Sequence, residues 1–545
     1  MLPCLVYEDE ELLVVNKPAG LNTHAPGPYA GEGLYDWLRN REPRWATLAI
    51  IHRLDKETSG LIVFSKTPSA NRSLTEQFTR RTVRKKYLLL TDRPAPGREV
   101  TATSALVRAG ERYVSRPARE GAAAAQTRFR LVGGAGRGWQ SAPAGLGPCQ
   151  VVEAEPLTGR THQIRVQAAA QGFPILGDTL YGGTPAPRVY LHAAELALDH
   201  PATGQRLSFR APAAFEAAGD GRFSLRAALI DPEATNAYRV LHGAADGRPG
   251  WYVERFGDYL LSQSQQRPTP TQQAELVRLL TRLSARGACH RVLRRQVGRA
   301  HAAAASPEPI LGQAPPDRFA IRENGLHFEL SFREGYSVGL FLDQRDNRRR
   351  LLTRHIAAGF SLPAAGGAPP ARFEVLNAFA YTCGFSVCAA KAGARTTSVE
   401  LSKKHLAWGR RNFTLNQLDP AGHDFLHGDS FDWLRRLARR PRRFDLILLD
   451  PPTFSQSKAS GVFRAQRDYG RLVRVALPLL RSGGVLFASA NAADWPPEEF
   501  LAAVAQPVHA AGRKLLQRHY APQPPDFPVS RIEPAYLKTL WLRIE

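Results

Sequence analysis

Asp55 is the residue of this chain best placed to do chemistry. It stands in His52-Arg53-Leu54-Asp55-Lys56-Glu57-Thr58-Ser59-Gly60, among cations and hydroxyls and just ahead of a glycine. A carboxylate in such company can act as a nucleophile if it stays ionised and is held still. The segment by itself supports a second reading, a solvated turn whose aspartate caps a backbone N–H. Further on, Glu155-Pro-Leu-Thr-Gly-Arg160-Thr161-His162-Gln163-Ile164-Arg165 supplies a guanidinium that would keep a neighbouring carboxylate charged. Two more acids stand out: Glu400 after a small-residue loop, and Asp450 in Asp450-Pro451-Pro452-Thr453-Phe454-Ser455.

The elements that must hold these residues follow from the apolar pattern. Leu48-Ala49-Ile50-Ile51 and Leu61-Ile62-Val63-Phe64 predict strands on either side of Asp55, which puts it on a rigid loop. Gly133 to Pro148 reads as a surface loop, and Leu191 to Pro201 as a late strand before a boundary at residues 213–225. From Asn236 to Leu260 short strands turn at Asp246-Gly247 and Pro249-Gly250, Gln272 to Leu283 predicts a helix, and Gly325 to Phe332 a strand. Gly339-Leu340-Phe341-Leu342-Asp343-Gln344-Arg345-Asp346-Asn347-Arg348 is a strand running into a basic helix, and its residues alone disclose no chemistry. Phe373 to Phe385 is a strand turning through Asn377-Ala-Phe379-Ala-Tyr381-Thr382-Cys383-Gly384 into an Ala-rich helix, and Thr397-Ser398-Val399-Glu400 ends a second strand in an acid. This is nucleotide geometry, in which the loop lets backbone approach a ligand and the acid takes ribose hydroxyls.

A chain of 545 residues exceeds one core, and the texture predicts three domains, 1–220, 221–365 and 366–545. The 73 Lys and Arg against 49 Asp and Glu give +24, which favours a polyanionic partner, nucleic acid first. Five scattered cysteines, with no pair at metal spacing, argue against a disulfide framework and against zinc, so no metal is expected. The first residues lack the basic start of a signal peptide, no apolar run reaches membrane-spanning length, and the expected location is the cytoplasm.

The Asp55 and Arg165 segments stand with Val14-Val15-Asn16-Lys17-Pro18-Ala19-Gly20 before them, Lys85-Lys86-Tyr87-Leu88 between, and Pro174-Ile175-Leu176-Gly177-Asp178-Thr-Leu-Tyr181-Gly182 after. In that order they resemble the RluA-type family of RNA pseudouridine synthases. The resemblance implies an α+β domain with a mixed, largely antiparallel sheet and no cofactor. It makes Asp55 the nucleophile that detaches uracil from its ribose so that the base rotates and rejoins through carbon, with Tyr87 stacked on the base and Arg165 paired with Asp55. The run Arg72, Arg80, Arg81, Arg84, Lys85 and Lys86 suits either an RNA backbone or a solvated face. RNA contacts are expected at Arg53, Arg80, Arg81, Lys85, Lys86, Arg160, His162 and Gln163, and at Arg345 in the middle piece.

Phe341 to Arg345 resembles a signature that precedes the catalytic domain of large-subunit ribosomal RNA methyltransferases. With Gly428-Asp429-Ser430, Phe444 to Ser455 and Gly483-Gly484-Val485-Leu486-Phe487, the last domain resembles class I S-adenosylmethionine-dependent methyltransferases, an α/β doubly wound Rossmann-like fold. The resemblance implies that Asn377, Phe379, Tyr381, Thr382 and Gly384 cradle the methionine part of S-adenosylmethionine, Glu400 its ribose and Asp429 its adenine. Asp450 would lie beside cofactor and acceptor base. Cys383 stands where relatives carry glycine, at a cost if the position needs a positive φ. Methylation at pyrimidine C5 needs a cysteine, which relatives with that activity place after the Asp-Pro-Pro motif or the fifth strand, and neither Asp450–Ser455 nor Ala488-Ser-Ala-Asn491-Ala holds one. A ring nitrogen needs only position. Asp450 to Lys458 with Gln466-Arg467-Asp468 resembles the guanine-N7 methyltransferase half of a 23S ribosomal RNA enzyme. The expectation is a bifunctional enzyme of structured RNA, 23S ribosomal RNA first, making pseudouridine and a methylated purine. Two alternatives stand beside it: an RNA-binding factor with one decayed site, and a cytosine-C5 methyltransferase using Cys388.

Overall fold

Strands covered on both faces read as unbroken apolar runs, and Ser59–Ser65, directly after the Asp55 loop, is buried along its whole length. The computed structural model that shows this describes residues 1–118, 124–133, 147–213, 215, 221–293, 306–335, 337–363, 373–457 and 461–545. Most of the loop expected at Gly133–Pro148 and part of the boundary expected at 213–225 lie outside the described residues, as does Lys458. The chain divides into two units: Met1–Pro26 with Glu32–Trp37 and Thr47–Asp231, and Gly27–Gly31 with Leu38–Ala46 and Pro232–Glu545.

The first unit is built on an eleven-stranded sheet whose main path runs Leu5–Glu8, Leu12–Lys17, Ser59–Ser65, Leu191–Asp199, Arg84–Thr91, Gln150–Pro156, Ala125–Gly133, Val100–Ala109 and Arg112–Arg116. Its pairings are antiparallel except where Ser59–Ser65 meets Leu191–Asp199. The strand expected at Leu48–Ile51 shrinks to Ala49–Ile50, which still pairs with Ser65 and Phe64. Leu12, Val14, Leu61, Val63, Leu74, Leu196 and Leu198 fill one core face. The parallel contact needs Gly60: at φ +116 a Cβ would lie 2.4 Å from the backbone N and O of Ala193.

In the second unit a five-stranded sheet, Ala237–His242, Tyr252–Phe256, Tyr259–Ser264, Gly287–Val292 and Glu308–Gly312, comes first, with the helix Pro270–Leu283 crossing between its third and fourth strands. A seven-stranded sheet follows in the order Asp424–His427, Arg395–Glu400, Glu374–Asn377, Phe444–Leu449, Leu480–Asn491, Leu537–Ile544, Leu515–Tyr520. The first four pairings are parallel and the last two antiparallel. Strand ends at Asn377, Glu400 and Leu449 therefore open on the same edge of the sheet, where ligands of open α/β sheets bind. Among the described residues no helix is long and apolar enough to cross a membrane.

Gly60→Ala is expected to cost about 3 kcal/mol or more, because the new Cβ meets backbone on a strand that cannot shift. Urea denaturation measures it, and a change within about 0.5 kcal/mol would contradict this account of the sheet.

Candidate functional sites

The Asp55 loop is fixed at several points. Thr23 Oγ1 accepts from Leu54 N at 3.1 Å and donates to Leu54 O at 2.8 Å, and Thr58 N donates to Asp55 O at 3.1 Å. The buried Lys17 ammonium donates to the carbonyls of Pro18, Leu21 and Lys56, and burial pulls its pKa down to about 7. Into this frame projects Arg165, from the first turn of the helix Gln163–Ala170 and 3% exposed. Its Nε and Nη2 donate to the two oxygens of Asp178 at 2.7 and 2.8 Å. That fork leaves Nη1 facing Asp55 Oδ2 at 3.5 Å and Glu57 Oε2 at 3.5 Å. Burial opposes the guanidinium charge, but the hydrogen bonds and charge of Asp178, with the charges of Asp55 and Glu57, outweigh it and hold the pKa above the usual range.

His162 precedes that helix in the left-handed region at φ 54, with Nε2 3.9 Å from Asp55 Oδ2. Its Nδ1 meets the Tyr181 hydroxyl at 2.7 Å, and that hydroxyl accepts from Tyr113 N at 3.1 Å. Burial lowers the His162 pKa, against the pull of Asp55. Tyr87 is buried on Arg84–Thr91, and burial, then the Asp55 charge, push its hydroxyl pKa up. Asp178 and Tyr181 received no role from the sequence. Their signal was the glycine-framed acid and aromatic of Gly177-Asp178-Thr-Leu-Tyr181-Gly182.

The basic residues separate into two groups. Arg53, Arg80, Arg81 and Arg160 are exposed, Arg80 with a 2.7 Å contact to Glu76, and Lys85 lies over the Phe78 ring at 5.8 Å. Three of the expected RNA contacts have partners inside the protein. Gln163 accepts from Thr158 Oγ1 and Arg160 N and donates to Gln126 O and Thr127 Oγ1, so its amide is used inside the protein. Lys86 lies between Glu153 at 3.5 Å and Glu195 at 3.8 Å. Arg345 is buried with a two-pronged bond to Asp526 at 2.9 and 2.6 Å, which holds it within the fold.

In the second unit the loop after Glu374–Asn377 doubles back under the end of Arg395–Glu400. Glu400 accepts from Tyr381 N at 2.9 Å and Ser402 N at 3.0 Å, so the acid at the second strand's end also shapes the loop. Phe379 is half-buried against the core beneath the sheet, Thr382 is buried with its hydroxyl bonded to Gly339 O, and Gly384 opens the following helix. Tyr381 and Cys383 both take positive φ, 47 and 63. The left-handed requirement at Cys383 is thus real, and cysteine meets it at a cost of about 1–2 kcal/mol. Its side chain is accommodated by Gly409, where an added Cβ would come within 2.4 Å of the Cys383 Sγ. Asp429 caps the helix Ser430–Ala438 by accepting from Asp432 N.

Asp450 follows Leu449 at the mouth of the sheet. Burial, with the charge of Asp343 adding to it, pushes its pKa up to about 6, although Ser489 and Gln344 donate to it. Tyr469 ties the two strand ends together: its hydroxyl accepts from Ser489 N and lies 2.9 Å from the carbonyls of both Leu449 and Ser489. These residues fit a nucleotide-like ligand carrying an ammonium. Asn377 Oδ1 is a buried acceptor with no donor among the described residues, while its Nδ2 is held by Ser386 at 3.0 Å. Among the described residues no group of three acids, histidines or cysteines is placed to hold a metal.

Comparison with known proteins separates the same two regions. Residues 11–170 match the RNA pseudouridylate synthase family and residues 251–543 the S-adenosylmethionine-dependent methyltransferase family. A ribosomal RNA large subunit methyltransferase of Deinococcus radiodurans is 35% identical over 341 residues, spanning 60% of this chain and 78% of its own. The ribosomal RNA large subunit methyltransferase I of Escherichia coli is 31% identical over 319 residues, spanning 58% and 76%. The solved human RNA pseudouridylate synthase domain containing 1 is 28% identical with a TM-score of 0.32, covering 38% of this chain and 82% of its own.

Glycine to alanine inside a helix ordinarily stabilises by about 1 kcal/mol. Gly409→Ala is expected to destabilise instead, by about 1–3 kcal/mol, because its methyl meets the Cys383 sulfur. Adding Cys383→Gly should restore the loss, and urea denaturation of the three variants checks it; a double variant as weak as Gly409→Ala would refute the contact.

Proposed function

Because the chain belongs to the S-adenosylmethionine-dependent methyltransferase family and carries an RNA pseudouridylate synthase domain ahead of that region, we propose that it modifies large-subunit ribosomal RNA twice. It isomerises a uridine at Asp55 and methylates a purine ring nitrogen, guanine N7 first, beside Asp450. The ribosomal target is supported by the names of the two relatives, both large-subunit ribosomal RNA methyltransferases.

In this reading Asp55 is the nucleophile. Asp55 bonds to the ribose C1′ as uracil leaves through N1, the base turns, C5 bonds to C1′ and displaces the carboxylate, and the proton lost from C5 is matched by one taken up at N1. The observation that carries it is the Arg165 guanidinium, locked by Asp178 and facing Asp55 at 3.5 Å. A carboxylate beside such a group stays ionised when a flipped base excludes water. Tyr87 lies against that base, and Arg53, Arg80, Arg81, Arg160 and Lys85 meet the RNA backbone.

S-adenosylmethionine supplies an electrophilic methyl group in the second site. Asn377 to Gly384 hold its methionine part, Glu400 its ribose and Asp429 its adenine, and residues 221–365 form a platform for RNA ahead of the catalytic domain 366–545. The choice of a ring nitrogen over carbon C5 is supported by the thiols. All five cysteines are free, and the three in this region are buried. Burial pushes Cys289 and Cys383 up to about 12 and Cys388 further, so none offers a thiolate to a pyrimidine.

Mass-spectrometric mapping of RNA treated with wild-type protein and Asp55→Ala, each with and without S-adenosylmethionine, tests the reading. Wild type is expected to add one pseudouridine regardless of S-adenosylmethionine and one methylated guanosine only with it, and Asp55→Ala to lose the pseudouridine alone. A 5-methylcytidine would overturn the nitrogen assignment.

A further inference from the structure

The stretch Phe341 to Arg348, chemically silent as sequence, is tied to Asp450 by hydrogen bonds whose direction can be worked out. The indole N–H of Trp541 can only donate, and it reaches Asn347 Oδ1 at 3.1 Å. That makes the other end of the Asn347 amide the donor, and Nδ2 lies 2.8 Å from Gln344 Oε1. A second anchor agrees: Nδ2 also lies 3.4 Å from Thr539 Oγ1, whose own hydrogen is given to Ala521 O. Gln344 therefore presents Nε2 to Ser489 Oγ at 2.8 Å and to the Asp450 oxygens at 3.3 and 3.4 Å. The Ser489 hydroxyl, having accepted from Gln344, turns its hydrogen to Asp450. Trp541, Asn347, Gln344 and Ser489 are all buried.

We infer that Trp541, Asn347 and Gln344 are positioning residues, a one-way hydrogen-bond relay that keeps Asp450 a hydrogen-bond acceptor at the methyl-transfer site, where it receives an N–H of the acceptor base. The inference rests on the reading above that Asp450 faces that base. A carboxylate held in this way suits guanine, whose Watson–Crick edge offers N–H donors while its N7 edge offers only acceptors. The groups that face Asp450 from the elements around it are Asp343 before the helix Arg345–Thr353, Arg348 on that helix and Tyr469 on the helix Ala465–Ala476. Asp343 works against ionisation of Asp450 and Arg348 for it, Arg348 itself being engaged by both oxygens of Glu323. The relay weighs on the side of the carboxylate, against the upward push of burial and Asp343.

The test is kcat/KM for methyl transfer to RNA between pH 5 and 9, with the full chain and its Gln344→Met, Gln344→Glu and Trp541→Phe variants, alongside calorimetric binding of S-adenosylhomocysteine at pH 8. Wild type should show a rising limb near pH 6, where Asp450 loses its proton. Removing a donor favours the protonated acid, so Gln344→Met should move the limb up by about one pH unit, a roughly tenfold loss below it, with the plateau regained at high pH. Gln344→Glu should move it further, Trp541→Phe less but in the same direction, and S-adenosylhomocysteine should bind all of them as it binds wild type. A working wild type whose limb stays in place in Gln344→Met and Trp541→Phe, with activity lowered equally at every pH, overturns the relay alone. A wild type that binds S-adenosylhomocysteine but methylates no RNA overturns the functional reading, and the relay with it.

Discussion

Arg165 is the constraint on which the first unit depends. A guanidinium that is 3% exposed is tolerable only if its donors are met and its charge is answered. Asp178 does both with two parallel bonds, and in doing so it fixes the direction of the remaining nitrogen. Asp55 sits where that nitrogen points, on a loop whose backbone is held by Thr23 and Lys17. The carboxylate's surroundings are therefore set before any RNA arrives, so little reorganisation is left to the reaction.

The second unit solves a related problem differently, since among the described residues no cation pairs directly with Asp450. Asp450 lies at a partly open sheet edge where burial and a second carboxylate, Asp343, favour the neutral acid. Neutral donors, Gln344 and Ser489, oppose that tendency. The two sites thus hold their carboxylates differently: Asp55 beside a permanent charge, Asp450 balanced near neutrality by oriented dipoles. That difference suits a nucleophile on one side and a group that orients a base on the other.

The residues proposed to meet a ligand were more legible than those that hold them. Asp55 and Arg165 stand out because each sits in a dense polar segment between apolar strands, and the seven-stranded sheet followed from the loop at Asn377 and the acid at Glu400. The supporting partners stayed hidden because they come from elsewhere in the chain. Trp541 lies 194 residues from Asn347, and no local pattern links them. The same blindness hid the partners of Gln163, Lys86 and Arg345: a polar or basic side chain looks free until its partner is known, and theirs are Thr127, Glu153 and Asp526. Cys383 shows the opposite case. Its positive φ was anticipated from a glycine position, but the space for its sulfur came from Gly409 on the neighbouring helix.

In the proposed reaction Asp178 acts on the chemistry of Asp55 through the direction of Arg165. The most direct measurement is single-turnover pseudouridine formation by Asp178→Asn, which keeps the shape of the side chain and removes its charge, with RNA affinity measured in parallel. The rate should fall by about a hundredfold, as misplacement of a reacting group does, while RNA binding stays within about twofold. A variant that converts uridine at the wild-type rate would contradict it, since Arg165 would then be oriented without its buried partner.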